Sequence, residues 1–275
     1  MKVWLDGALI DAERACISPA DHGFLLGDGV FETLRCYDGV PFALDDHLGR
    51  LEAGAAALGI DPPPRTVLPF AARDVVEANG LTDARMRITL TSGAGPPGLL
   101  RGQTPPTILI TAQPLPPWPP TATAVISRMR RDEDSSLAGV KTISLAESVL
   151  ATREARDHGA TDGIVLNRRG DVCEATTANV FLVRGGQVET PSLASGCLAG
   201  ITRDRVLRLS GGAEREIPAT ALYEADELFL TSSTREIQPL VGLDGKDIGD
   251  GAPGPVTQTL ARELHELVLA ELDLQ

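Results

Sequence analysis

A run of prolines at residues 113–120 constrains the architecture of this 275-residue chain more than any other stretch. Five of the eight residues are proline, which lacks the amide hydrogen that helices and central strands require. The run therefore predicts a stiff, extended interdomain linker. It separates a predicted N-terminal domain at residues 1–112 from a predicted C-terminal domain at residues 121–275, and both have an ordinary domain size.

Strand and helix patterns mix on both sides of this linker without regular βαβ alternation. The strand patterns of the first part comprise residues 3–10, 29–36, 41–44, 85–91 and 107–112. Asp45 or Asp46 is placed to cap the helix that follows, and Ser144 with Glu147 has the spacing of a capping box in the second part. The irregular mixture favours an α+β fold of two domains.

Composition excludes several classes of protein. The net charge of −13 argues against nucleic-acid binding, which depends on a basic surface. No apolar run approaches the roughly 20 residues of a membrane span, and the first residues lack a signal-peptide pattern, so we expect a cytoplasmic protein with no membrane partner. The four cysteines and four histidines are scattered, which favours reduced thiols and predicts no metal site.

Lys141 is unusual among the basic residues because the chain has only three lysines, and the other two stand in polar surroundings. Leu137, Val140 and Ile143 flank it, with no adjacent acid. Removing an amine from water favours its neutral, nucleophilic form, which Schiff-base chemistry requires. The alternative is a lysine at a strand end whose ammonium reaches out to water.

Three features are candidates for binding an anion. The small-residue loop at residues 196–202 leads into a helix, whose free amides and the Thr202 hydroxyl suit a phosphate. Hydroxyl groups at residues 231–234 follow an apolar strand, and Arg50 lies in a helix beside Leu51. Each also has a structural interpretation: a capped helix, a capped turn and a surface ion pair, respectively.

Glu174 is a candidate for binding a cation. Small and apolar residues surround it, and a buried carboxylate needs a partner. A glutamate at an exposed strand end is the alternative, whereas a cationic pyridinium nitrogen would be a suitable buried partner. Together with Lys141 and the anion-binding candidates, Glu174 completes the set of groups that pyridoxal 5'-phosphate requires. The lysine would bind the aldehyde, the carboxylate the ring nitrogen, and the other groups the phosphate.

The order of these motifs resembles the class IV aminotransferase family, the fold-type IV pyridoxal-phosphate enzymes, over nearly the whole chain. The matching segments are residues 21–35 (DHGFLLGDGVFETLR), His47-x-x-Arg50-Leu51, Val140-Lys141, Glu174 with Asn179, Gly200-Ile201-Thr202 and residues 233–236 (STRE). The resemblance implies a small N-terminal α/β domain and a larger, barrel-like C-terminal α/β domain that carries the Schiff-base lysine. It also implies a homodimer.

The resemblance further implies a role for each matched residue. Lys141 is the Schiff-base lysine and moves the proton between Cα and C4′, and Glu174 binds the pyridine nitrogen. The implied phosphate ligands are Arg50, Ile201 (through its backbone amide), Thr202 and Ser233. Phe31 corresponds to an aromatic position of the substrate pocket, to which we assign Arg101 and Thr234 as well.

Three activities are known in the family: branched-chain L-amino-acid transamination, transamination of D-amino acids and some (R)-amines, and the 4-amino-4-deoxychorismate lyase reaction. Residues 21–35 and 231–236 resemble the last two groups more than the first. The loop at residues 93–98 has Pro96-Pro97 where those groups often carry an arginine, and Ser144 stands where asparagine is common. Arg101, Arg85, Arg87 and Arg235 are alternative sources of the missing cation.

The sequence thus predicts a transaminase that moves the amino group of a D-amino acid or small (R)-amine to a 2-oxo acid. The main alternative is the lyase, which forms p-aminobenzoate and pyruvate, and a branched-chain L-amino-acid transaminase is the third possibility.

Overall fold

The computed structural model describes residues 1–273, and their contacts group them into two compact units. The first unit comprises Met1–Pro116 and Val140–Ser144, and the second comprises Pro117–Gly139 and the residues from Leu145 onward. The predicted boundaries placed Lys141 in the C-terminal domain. The grouping differs there because the backbone around Lys141 pairs with a strand of the first unit.

The first unit contains a six-stranded antiparallel sheet with strand order β2-β1-β6-β5-β3-β4. Its elements are β1 (Lys2–Leu5), β2 (Ala8–Asp11), α1 (His22–Leu26), β3 (Gly29–Tyr37), β4 (Val40–Pro41), α2 (Leu44–Leu58), α3 (Leu68–Ala78), β5 (Ala84–Thr91) and β6 (Thr107–Pro114). Alternation of side chains along β3 and β5 directs one set of residues into the core and the other to the opposite face.

Helix α2 packs on the core face of this sheet. Its buried side chains recur at helical spacing, with Leu48, Leu51 and Ala55 facing Val30 and Leu34 in a single apolar cluster. Burying each large aliphatic side chain there stabilises the unit by about 1.5–3 kcal/mol. The same face of α2 therefore fixes the position of the polar residues interspersed along it.

The start of α2 differs from the prediction. The helix begins at Leu44 after Ala43, a residue in the left-handed region (φ 51°), so Asp45 and Asp46 lie in the first turn instead of capping it. The predicted strand at residues 41–44 was correspondingly too long, because β4 ends at Pro41. Carboxylates in a first turn still stabilise a helix through its dipole.

The second unit contains a mixed nine-stranded sheet with the path β12-β11-β10-β13-β14-β7-β8-β9, and β15 pairs with β14. Its elements are β7 (Ala122–Arg131), α4 (Ala146–Asp157), β8 (Asp162–Asn167), β9 (Val172–Ala175), β10 (Asn179–Arg184), β11 (Gln187–Pro191), α5 (Ile201–Ser210), β12 (Ala213–Arg215), β13 (Glu227–Ser232), β14 (Glu236–Leu243), β15 (Lys246–Asp247) and α6 (Pro255–Asp273).

This second sheet curls on itself. β9 ends the path, yet only three residues join it to β10 near the other end, and the amide of Ala175 donates to the carbonyl of Ala178. The enclosed face is apolar, whereas α5 and α6 cover part of the outer face, where Phe181 stacks on Phe229. The mixed α+β architecture that the sequence predicted is thereby confirmed.

The capping box predicted at Ser144 and Glu147 was wrong. Leu145 precedes the first residue of α4, and no side chain caps that end. The Ser144 hydroxyl instead donates to the carbonyl of Gly27 at 3.1 Å. Among the described residues, no helix is both long enough and apolar enough to cross a membrane.

Candidate active site

The backbone around Lys141 continues one edge of β3. The amide of Phe31 donates to the carbonyl of Lys141 at 2.9 Å, and the amide of Ile143 donates to the carbonyl of Gly29 at 3.0 Å. β4 covers only the far end of the same edge, which leaves this end to the lysine segment. The half-buried Lys141 thus stands at a fixed point of the sheet, with its Nζ 4.5 Å from the centre of the Phe31 ring.

Arg87 meets the same ring from the neighbouring strand β5. Its guanidinium carbon lies 3.8 Å from the centre of the Phe31 ring, and its Nε donates to the Thr89 hydroxyl at 3.1 Å. Burial, together with Arg85, lowers the pKa of Arg87, and no acidic side chain pairs with it within residues 1–273. The two basic side chains and Phe31 form one cluster in the first unit.

Two of the other arginines proposed to bind a substrate carboxylate, Arg101 and Arg235, already have acidic partners. Arg101 donates from Nε and Nη2 to both oxygens of Asp28 and from Nη1 to the carbonyl of Gly59. Arg235 donates to Asp162 at 2.6 Å and to the hydroxyl of Thr177 at 2.8 Å. Arg87 is therefore a better candidate than Arg101, the residue selected from the sequence.

Arg50 belongs to a buried network in the same unit. Its Nε and Nη2 donate to the two oxygens of Glu32 at 2.8 and 2.7 Å, and Glu32 is inaccessible to solvent. Nδ1 of the buried His47 lies 2.7 Å from Glu32 Oε2. The bidentate pair fixes the plane of the guanidinium, so Arg50 is held rigidly as a candidate phosphate ligand.

The network determines the protonation of its members. Burial opposes the charge on Glu32, but hydrogen bonds from Arg50 and His47 outweigh it and lower the pKa of Glu32 to about 2. Burial lowers the pKa of His47, although Glu32 acts in the opposite direction. A neutral His47 beside a carboxylate must carry its proton on Nδ1, which then donates to Glu32.

Glu174 lies on β9 in the second unit, and protein groups contact both of its oxygens. Nη2 of Arg131 donates to Oε1 at 2.9 Å, and the amide of Leu198 donates to Oε2 at 3.0 Å. The side chain is mostly buried. A carboxylate has about four lone-pair positions, so Glu174 can accept a further hydrogen bond from a ligand.

The start of α5 provides the expected helix terminus. No side chain caps it, so the amides of Ile201 and Thr202 belong to an uncapped first turn. Asn179 holds the preceding loop by donating from Nδ2 to the carbonyl of Leu198, and a Cβ on Gly200 would overlap its Oδ1. Glycine at this position therefore allows the helix end to approach β10 closely.

The turn between β13 and β14 contains Ser233 and Thr234, and it lies near the start of α5. Thr231 on β13 pairs with Asn179 on β10, which links this strand end to the residue that holds the α5 loop. The buried Thr231 hydroxyl has no hydrogen-bond partner among the described residues. Arg235 anchors the turn through its ion pair with buried Asp162.

The segment at residues 21–23 has a structural role. Buried Asp21 accepts hydrogen bonds from the amide of Gly23 and from the hydroxyls of Thr91 and Thr107. His22 lies 3.1 Å from the carbonyl of Pro96 through Nε2. These contacts hold the loop that follows β5 against α1.

The structure thus brings Lys141, Phe31 and Arg87 together in one unit, where Arg50 is also held. It brings Glu174, Ile201 and Thr202 together in the other, beside the turn with Ser233. The sequence did not single out Glu32 or Arg131. Glu32 could have been singled out because it is an acid inside the apolar strand VFETL, and a buried carboxylate requires a partner.

Each unit offers groups of the kind that a phosphorylated, nitrogen-containing ring cofactor requires, and comparisons with known proteins define the class of the chain. Residues 29–242 match the model of the amino-transferase class IV family. The chain belongs to the class IV aminotransferases.

Relatives and solved structures agree along nearly the full length. The chain is 36% identical to a Methanocaldococcus jannaschii protein named "Putative branched-chain-amino-acid aminotransferase" over 97% of this chain and 96% of the relative. It is 32% identical to D-alanine aminotransferase of Bacillus licheniformis over 98% of each chain. The crystal structure of Escherichia coli branched-chain amino acid aminotransferase matches with a TM-score of 0.92 and 29% identity, covering 98% of this chain and 95% of the other.

The family's cofactor is pyridoxal 5'-phosphate, and two further similar crystal structures of a branched-chain amino acid aminotransferase contain a phosphopyridoxyl ligand or pyridoxamine 5'-phosphate. The donor set of this chain fits it. An uncapped helix start, a fixed arginine and the unpartnered Thr231 hydroxyl suit a phosphate, while Glu174 suits a protonated ring nitrogen. Bound at such residues, the cofactor supplies an electron sink for amino-group transfer.

Proposed function

We propose that this aminotransferase moves the amino group of a D-amino acid or a small (R)-amine to a 2-oxo acid. Amino-group transfer is supported above all by the position of Lys141, whose backbone is fixed on the edge of β3 and whose Nζ lies beside the Phe31 ring. The resemblance of residues 21–35 and 231–236 supports the D-amino-acid preference. The full-length similarity to D-alanine aminotransferase of Bacillus licheniformis also supports it.

Each residue of the proposed mechanism performs a limited task. Lys141 would bind the cofactor aldehyde until the substrate amine displaces it, and its freed amine would then carry a proton between the substrate Cα and C4′. Arg50, the amides and hydroxyl at the start of α5 (Ile201 and Thr202), and Ser233 hold the phosphate. Glu174 keeps the ring nitrogen protonated, and we assign Phe31 and Thr234 to contact with the substrate.

Arg87 supplies the cation for the substrate carboxylate in this proposal, in place of Arg101. Its planar guanidinium matches a carboxylate, and it contacts Phe31, the same ring that Lys141 contacts. A 2-oxo acid acceptor and an amino-acid donor both carry such a carboxylate. A simple (R)-amine carries none, which gives the role of Arg87 a direct test.

A branched-chain L-amino acid is the second candidate donor, favoured by the Methanocaldococcus jannaschii relative and the Escherichia coli structure. To discriminate the donors, the purified protein loaded with pyridoxal phosphate is mixed separately with D-alanine, (R)-1-phenylethylamine, L-leucine and aminodeoxychorismate. We expect D-alanine to convert the bound cofactor to pyridoxamine phosphate faster than L-leucine does. A faster reaction with L-leucine would establish the second candidate, and release of p-aminobenzoate and pyruvate would establish the lyase.

For Arg87, we expect Arg87→Met to lower kcat/KM for D-alanine and for the 2-oxo acid about ten- to hundredfold, the cost of losing a charge-assisted hydrogen bond. Single-turnover rates with (R)-1-phenylethylamine should change less than about threefold, because this donor has no carboxylate for Arg87 to bind. Arg85→Met, two residues along the same face of β5, is the matched control. Equal losses with both donors would contradict carboxylate binding by Arg87.

We also propose that the chain forms a homodimer, as the resemblance implies. Helix α1 leaves Phe24, Leu25 and Leu26 exposed, at 76%, 53% and 44% of their surface, and such apolar patches mark interfaces. Light scattering that gives the 29.0 kDa mass of one chain at micromolar concentration would contradict the dimer.

A further inference from the structure

The second unit contains an arginine to which neither the sequence nor the family comparison gives a role. Arg131 is the last residue of β7, and its Nη2 donates to Glu174 Oε1 at 2.9 Å. Glu174 is the proposed ligand of the cofactor's ring nitrogen. An arginine beside that carboxylate can therefore influence the reaction without touching the substrate.

The path of the Arg131 side chain is built into the fold. Gly196 packs against its stem, and a Cβ at this glycine would lie 2.9 Å from Arg131 Cγ. Gly196 also has a φ of 89°, which a residue with a side chain rarely adopts. The loop that follows supplies the Leu198 amide to Glu174, so one loop shapes both contacts of the carboxylate.

The charge beside Glu174 comes from Arg131. Burial opposes the charged form of Arg131, but Glu174, together with Cys173 and Glu147, outweighs this effect and raises the pKa of the guanidinium. The neighbouring thiols of Cys173 and Cys197 stay neutral, because burial raises the pKa of each. Glu174 therefore faces one permanent cation and one neutral amide donor.

This arrangement has a consequence for any proton shared between Glu174 and a ring nitrogen. A cation next to the carboxylate stabilises its negative form. The proton then stays on the ring nitrogen instead of moving to the carboxylate. Two fixed hydrogen bonds also hold the carboxylate in one orientation, which leaves its remaining lone pairs to the ligand.

We propose that Arg131 is a positioning residue that acts through Glu174, keeping it anionic and oriented so that the cofactor's ring nitrogen remains protonated. The proposal rests on the proposed role of Glu174. It predicts that loss of the Arg131 charge changes the protonation of a group that Arg131 does not touch.

The test uses the protein loaded with pyridoxal phosphate labelled with ¹⁵N in the ring, since the ¹⁵N chemical shift separates a protonated from an unprotonated ring nitrogen. In the unaltered protein we expect the protonated shift from about pH 6 to 9. In Arg131→Met the shift should move toward the unprotonated value as the pH rises, and single-turnover rates should fall about ten- to hundredfold. Arg131→Lys, which keeps the charge, should restore most of the protonated signal.

Arg130→Met is the matched control, because Arg130 is the neighbouring arginine of the same strand and donates to the carbonyls of Ser127 and Met129. It should retain the unaltered shift and rate. Arg131→Gln replaces Arg131→Met if the methionine variant fails to fold by circular dichroism.

An unaltered ¹⁵N shift in the neutral Arg131 variants would overturn the proposal, as would a lysine variant indistinguishable from the methionine variant. Glu174→Ala distinguishes a failure of the Arg131 proposal from a failure of the proposed role of Glu174. If Glu174 binds the ring nitrogen, its removal alone abolishes the protonated signal. A protonated signal in Glu174→Ala would instead refute the role of Glu174.

Discussion

Replacement of Lys141 by alanine should lower the rate of amino-group transfer by about 10⁴-fold or more, because one amine serves as both nucleophile and proton carrier. The backbone of this segment makes its hydrogen bonds to β3 through main-chain atoms, so alanine leaves them in place. The Lys141→Ala variant should therefore fold and still bind the cofactor through its phosphate and ring nitrogen. Stopped-flow absorbance with D-alanine measures the loss.

Two further measurements test whether the amine of Lys141 itself bonds to the cofactor. Borohydride reduction of the loaded, unaltered protein should leave a covalent pyridoxyl group on the peptide that contains Lys141, and mass spectrometry should find none in the variant. Lys246→Ala provides the control, since Lys246 lies exposed on β15. A Lys141→Ala variant that retains more than about a tenth of the rate would refute the assignment.

Replacement of Glu32 by alanine should have the largest effect on stability. It leaves Arg50 and His47 partly or fully buried without their shared carboxylate, and breaking a buried ion pair on one side costs roughly 3–5 kcal/mol. Urea unfolding of the cofactor-free protein measures this loss. Phosphate affinity should also fall, because the plane of the Arg50 guanidinium is no longer fixed.

Asp83→Ala is the matched control for Glu32→Ala. Asp83 also accepts two hydrogen bonds from an arginine, Arg35, but half of its side chain is exposed. Exposed pairs contribute about 1 kcal/mol or less, so the two substitutions should differ severalfold in their effect. Equal effects would show that the buried network does not stabilise the first unit.

The same network predicts how stability depends on pH. The pKa of Glu32 falls from 4.5 to about 2 on folding, so its contribution, roughly 3 kcal/mol, is present above pH 4.5 and is lost as the pH falls toward 2. The lowered pKa of His47 acts in the same direction, with its loss starting below pH 6.5. In Glu32→Gln the stability between pH 4.5 and 2 should depend less on pH.

The elements of the fold were largely predictable because they follow from local patterns. Alternation in β3 and β5 and helical spacing in α2 are periodicities of adjacent residues. Predictions failed where a long-range contact competes with a local motif. Ser144 has the spacing of a capping residue, yet its hydroxyl bonds to Gly27, 117 residues away in the chain.

The sequence by itself determined the set of groups proposed to hold the cofactor: an isolated lysine, a glutamate among apolar residues and a small-residue loop that leads into a helix. Their chemistry is a property of residue type and local order. The tertiary structure decided how each group is held. Arg101 and Arg235 have acidic partners whereas Arg87 faces Phe31, Glu32 fixes Arg50, and Arg131 contacts Glu174 across 43 residues. Such pairings depend on which strands adjoin, which no local pattern specifies.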